Sequence, residues 1–159
     1  MEISIKKATS KLVNYENIIE QIKSLEDVHP LSLLSSCIAL LYNYIDKVSW
    51  AGIYLYDNDK NQLYVGPYQG NIACLNIIMG MGVCGAVAML KKTKIVKDVR
   101  KEKNHIYCDE KTLSEIVVPI LKNEMIIGVI DIDSYTVNNF NEIDQYYLEK
   151  IAKIISLKY

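Results

Sequence analysis

The chain has 159 residues, 50% of them hydrophobic and 23% charged, with a formal net charge of −1 and a pI near 6.1. That is the length of one ordinary domain with enough apolar content for a packed core, which excludes a disordered chain. The balanced charge supplies no field toward nucleic acid or an anionic membrane, so neither is an expected partner.

Residues 1–7 lack the apolar core of a secretion signal, and the longest apolar runs fall short of the ~20 residues of a membrane span. No Asn-X-Ser/Thr acceptor occurs. A cytoplasmic location is therefore expected. In that setting cysteines serve as core fillers, metal ligands or catalytic thiols rather than as a disulfide framework.

Over residues 8–25, Leu12, Ile18, Ile19 and Ile22 recur at helical intervals and predict an amphipathic helix. A second helix follows from Pro30 to about Lys47, with Pro30 in its first turn. Cys37 lies on its apolar stripe and reads as a small buried hydrophobe. The period then becomes strand-like. A hairpin pairs residues 49–56 with 62–67 across the turn Asp57-Asn58-Asp59-Lys60-Asn61. A strand is predicted over 73–78, a short helix over 83–91 and a strand over 94–96. Residues 99–113 form a long polar loop, and loops of that length in a compact domain are usually functional or mobile. Two strands, 115–121 and 125–133, turn at Lys122-Asn123-Glu124. A last helix begins near Asn141, with Asp144 placed for a capping box. The order predicts one α+β domain with a mainly antiparallel sheet and helices on one face, divided as 1–28 (N-terminal helix) and 29–159 (sheet, active-site loop and C-terminal helix).

Cys74, Cys84 and Cys108 fall in the central stretch among glycine, polar or charged residues, where a thiolate can act as nucleophile or ligand. Gly80-Met81-Gly82-Val83-Cys84-Gly85 matches G-x-G-x-x-G, but the surrounding hairpins lack the parallel βαβ unit that a dinucleotide site requires. The glycines read instead as a tight strand-to-helix turn. Zinc would need Cys74, Cys84, Cys108 and His105, and no two of these cysteines have the close spacing of a structural site, so no metal is expected. Asp131 and Asp133 share one strand face and can together meet an ammonium group or move a proton. His105 either favours the Cys108 thiolate or is a loop histidine bonded to backbone; the residues leave both open. Trp50 and Tyr54 share a strand face, as a pocket wall or a core layer.

Seven segments in order resemble the free methionine-(R)-sulfoxide reductases, single-domain enzymes of GAF fold. They are Trp50-Ala51-Gly52-Ile53-Tyr54, Val65-Gly66-Pro67-Tyr68-Gln69-Gly70, Ile72-Ala73-Cys74, the Gly80–Gly85 run, His105-Ile106-Tyr107-Cys108-Asp109, Ser114-Glu115-Ile116-Val117 and Gly128-Val129-Ile130-Asp131-Ile132-Asp133-Ser134. Tyr68 stands where the family usually has Phe, and Tyr107 where it usually has Ala. The resemblance implies Cys108 as nucleophile, Cys74 as resolving and Cys84 as auxiliary resolving cysteine. It further implies Glu115, Asp131 and Asp133 as the acidic trio for catalysis and substrate binding, and Trp50, Tyr54 and Tyr107 around the substrate. The expected partners are free methionine-(R)-sulfoxide and a thioredoxin-type reductant, with a possible homodimer and no cofactor. The alternative is a non-enzymatic GAF-type module that binds a small ligand or senses redox state.

Overall fold

The computed structural model describes residues 7–159; the first six, including most of the segment read for a secretion signal and part of the 1–28 unit, lie outside the described residues. Helix α1 (Lys11–Ser24) begins three residues later than its apolar pattern predicts. The Asn14 side chain holds both the N–H and the C=O of Ala8, and the Ser10 hydroxyl caps the first turn, so residues 8–10 stay outside the helix. Helix α2 (Pro30–Tyr44) is opened by the His29 ring, which accepts from the Leu31 N–H, and it stops short of Lys47. Lys47 sits at φ 57°, in the left-handed region that ends helices. Cys37 is fully buried on α2, where burial pushes its thiol pKa up to about 12, as a core filler requires.

Six strands follow: β1 (Trp50–Asp57), β2 (Gln62–Gln69), β3 (Asn76–Ile78), β4 (Lys94–Val96), β5 (Ser114–Lys122) and β6 (Met125–Ser134). They form one antiparallel sheet in the order β3-β2-β1-β6-β5-β4. Helix α3 (Gly82–Leu90) lies between β3 and β4, and α4 (Glu142–Lys158) closes the chain with the expected capping box of Asn141 and Asp144.

Strand alternation gives the sheet two apolar faces. Ala51, Ile53, Ile116, Val118, Ile130 and Ile132 pack against α1, α2 and α4. Trp50, Tyr54, Val117 and Val129 face the other way, onto Val83, Val87 and Ala88 of α3. The expected α+β class holds, and the three long helices share one face; the short α3 covers the other. That second face carries the site.

The strand predicted over 73–78 is shorter than expected, spanning only Asn76–Ile78. The Cys74 carbonyl accepts from the Tyr54 hydroxyl (3.1 Å) instead of a ladder partner, and its side chain is tied into the loop 99–113. That loop contains a short 3₁₀ turn, Val99–Lys101. Every strand pairing is antiparallel, and Gly80 and Gly82 adopt φ of 83° and 63°. The glycine-rich run is therefore a strand-to-helix turn, as expected, with left-handed positions that side-chain-bearing residues resist.

Candidate active site

Sheet register assembles the floor of the site. Asp131 and Asp133 alternate onto the α3 side of β6, and Glu115 of β5 lies directly opposite Asp133. On the other flank of β6, Trp50 pairs with Asp133 and Gly52 with Asp131. Three carboxylates thus meet on one patch of sheet beside an aromatic wall. Glycine at position 52 is required: an added Cβ would come within 2.2 Å of the Trp50 ring, which lies across it. Trp50 stacks on Tyr54 (centroids 5.9 Å) and on Tyr68 (5.5 Å), and its indole N–H donates to the Asn71 carbonyl at 3.1 Å.

Asp131 and Asp133 are in an environment that resists their charge. Burial, then the neighbouring Glu115, pushes the Asp131 pKa well above the usual range; Asp133 is raised by burial, then by Asp131 and Glu115. The buried Cys84 thiol of α3 donates to Asp131 Oδ2 at 3.2 Å, and its own pKa is raised by burial and by the same carboxylates. Glu115 Oε2 and Asp131 Oδ1 are buried and accept no hydrogen bond from the described residues. His105 Nδ1 stands 3.3 Å from Glu115 Oε2, at ion-pair distance but not aligned as a hydrogen bond. Buried acceptors of this kind are rare in native proteins, and here they converge on one cavity.

The cavity has a volume of about 40 Å³, and its lining includes Trp50, Tyr54, Cys84, Cys108 and the three carboxylates. At its rim Cys108 is bonded to Cys74 (S–S 1.96 Å, Cα–Cα 5.5 Å), joining the segment before β3 to the long loop. Two side chains fix that loop. Asn104 accepts from the Gly82 N–H (3.1 Å) and donates to the Gly80 and Gly82 carbonyls, capping α3, whose own N-cap residue makes no side-chain bond. Asp109, next to the nucleophile candidate, accepts from the Tyr135 hydroxyl (2.6 Å), the Asn71 amide and the Lys111 N–H.

Eight of the nine residues that the resemblance assigns to the site therefore come together: Cys74, Cys84, Cys108, Glu115, Asp131, Asp133, Trp50 and Tyr54. Tyr107 does not line the cavity; its ring is 53% exposed and stands edge-on to His105 at 4.5 Å. Tyr54 does more than form a wall, since its hydroxyl positions the Cys74 backbone. Asn71 and Asn104 escaped the sequence reading; their contacts reach up to 64 and up to 24 positions along the chain, and only a Gly-Asn turn and a polar loop mark them. Cys74 and Cys108 are consumed by their mutual bond, so the four-residue zinc set is not assembled. Among the described residues Cys84, Glu115 and Asp131 offer ligand atoms within 4.8 Å of one another, with the thiol engaged to Asp131. No helix among the described residues is long and apolar enough to cross a membrane.

Comparisons with known proteins match this geometry. A GAF domain model covers residues 31–157. The chain is 41% identical to the free methionine-R-sulfoxide reductase of Saccharomyces cerevisiae, over 92% of this chain and 88% of that protein. It is 40% identical to the free methionine-R-sulfoxide reductase of Escherichia coli, over 77% of this chain and 73% of that protein. The X-ray structure of free methionine-R-sulfoxide reductase from Neisseria meningitidis, in complex with its substrate, superposes with a TM-score of 0.94 at 34% identity, covering 99% of this chain and 95% of that one. With an antiparallel six-stranded sheet, a cysteine pair at the cavity rim and relatives this similar along nearly their whole length, the chain belongs to the GAF-domain family that includes the free methionine-R-sulfoxide reductases.

Proposed function

We propose that this protein reduces free methionine-(R)-sulfoxide to methionine, with Cys108 as nucleophile, Cys74 as resolving cysteine and a thioredoxin-type dithiol as final reductant. The observation that carries the reading is the Cys74–Cys108 bond at the rim of a cavity floored by three carboxylates, two of which, Glu115 and Asp131, have a buried oxygen that accepts no hydrogen bond from the described residues.

Each part has a chemical task. In the reduced enzyme the Cys108 thiolate attacks the sulfoxide sulfur while a proton is added to the sulfoxide oxygen. The hydroxyl then passes to the Cys108 sulfur as the S–O bond and the newly formed bond between the two sulfurs break, leaving a sulfenic acid on Cys108 and the electron pair on the substrate sulfur, now a thioether. Cys74 then attacks the sulfenic sulfur, expelling water and forming the disulfide. An external dithiol takes up the oxidation and restores both thiols. Asp131 and Asp133 hold the substrate ammonium, whose positive charge offsets the cost of their burial. Glu115 supplies the proton to the oxygen. Trp50 and Tyr54 enclose the methyl end, and Tyr107 screens the loop from outside. Cys84, held protonated beside Asp131, is an auxiliary resolving thiol. The reaction is that of a cytoplasmic repair enzyme, with a homodimer as the expected assembly.

A thiol-dependent assay tests the reading by comparing free (R)-sulfoxide, free (S)-sulfoxide and a sulfoxide-containing peptide. Turnover of the free (R) form alone is expected. Binding without consumption would favour the sensing-module alternative.

A further inference from the structure

Every turn of the proposed cycle consumes one proton at the sulfoxide oxygen, and Glu115, its donor, is 5% exposed. A buried carboxyl must receive the proton it passes on from a group with access to the loop side. We infer that His105 is that group: a positioning and proton-relay residue that acts through Glu115. The inference rests on the reductase reading and adds a residue to it.

Four observations support this. His105 is the only nitrogen base lining the cavity among the described residues, against four acids: Asp109, Glu115, Asp131 and Asp133. Its side chain is 6% exposed, its Nδ1 is 3.3 Å from Glu115 Oε2, and neither ring nitrogen is hydrogen-bonded to the described residues. A histidine kept only to hold a loop would spend those nitrogens on backbone, as Asn104 spends its amide one position earlier. Finally, the ring lies between buried Glu115 and the half-exposed Tyr107, which it meets edge-on at 4.5 Å, on the side open to solvent.

Carboxyl groups and thiols surround His105. Glu115 of β5, Asp131 and Asp133 of β6 and Asp109 of the loop share its cavity, the carboxylate of Glu102 interacts with it electrostatically, and the thiols of Cys84 on α3 and of reduced Cys108 complete the surround. Imidazole is the side chain that both takes and gives a proton near neutrality. The proton passes from solvent, or from the ionising Cys108 thiol, to His105. From there it moves to Glu115 and then to the sulfoxide oxygen as the S–O bond breaks. No further oxidant or reductant is needed.

Single-turnover release of methionine from the fully reduced enzyme, without external dithiol, tests the inference across the pH range for wild type, His105→Gln, Glu115→Gln and the double variant. Glutamine can hydrogen-bond Glu115 but cannot relay a proton. The expected result is a fall of about 10²-fold in the His105→Gln rate, growing as pH rises, with partial recovery on adding imidazole. In the Glu115→Gln background, His105→Gln is expected to cost little more. Should His105→Gln fail to fold, His105→Asn carries the same readout. A wild-type rate in a folded His105 variant, or a loss equal at every pH and insensitive to imidazole, would overturn the relay while leaving the reductase reading intact. If wild-type enzyme releases no methionine, the reductase reading itself falls, and the relay with it.

Discussion

Asp133 lies opposite Glu115 across the β5–β6 ladder and two residues from Asp131 on the same face, so like charges meet in a partly buried patch. Both aspartates have pKa values raised by burial first, then by neighbouring carboxylates: Glu115 for Asp131, and Asp131 and Glu115 for Asp133. The sign of the pH effect follows. In the unfolded chain these groups ionise near pH ~3.9; in the fold they keep their protons to higher pH. The stability linked to them is complete below the unfolded pKa and is lost as pH rises through the folded values. Asp133→Asn should therefore raise the unfolding midpoint at pH ~8 by about 2–4 °C for each kcal/mol of repulsion relieved, with the gain shrinking near pH ~4 where both forms are neutral. Calorimetry at the two pH values checks this, and a midpoint lowered at both would contradict it. The same substitution should weaken substrate binding.

At the scale of elements, β1 presents Trp50 flat across Gly52, and any side chain there meets the indole. Gly52→Ala should displace the ring from its stack with Tyr54 and lower kcat/KM about tenfold or more, as loss of a well-packed wall would. Trp50 is the chain's only tryptophan, so its fluorescence reports the displacement directly. An unchanged emission spectrum would refute it. The elements also show what a sequence makes readable. The α4 capping box was legible because Asn141 and Asp144 are three residues apart and act locally. The shared face of Asp131 and Asp133 followed from strand parity. The meeting of Glu115 with Asp133 depends on the β5–β6 register, set by the tight turn at Asn123 and Glu124, both at positive φ, and by an irregularity at Ile120/Leu121. The placement of α3 on the second face depends on apolar contacts with the sheet and on a cap from Asn104, neither marked by local pattern.

For the whole molecule, the Cys74–Cys108 bond joins residues 34 positions apart and links the segment before β3 to the loop 99–113. Closing such a loop restricts the unfolded chain, so the oxidised protein should resist denaturant by about 2–4 kcal/mol more than the reduced one. Matched urea titrations of the two forms measure the difference, and equal stability would show that the loop is already constrained without the bond. The fold class, most element positions and eight residues of the site were legible from periodicity and from the family resemblance. The pairing of Cys74 with Cys108 was legible only through the resemblance, because spacing alone allows every combination and the folded sheet is what brings these two together. The account's central claim is that Cys108 takes the sulfoxide oxygen. Reduced Cys74→Ser/Cys84→Ser enzyme, given free methionine-(R)-sulfoxide and then dimedone, tests it most directly by peptide mass analysis. The account predicts one methionine released per chain and a dimedone adduct on Cys108. Methionine release with no adduct on Cys108, or undiminished turnover by Cys108→Ser, would contradict it.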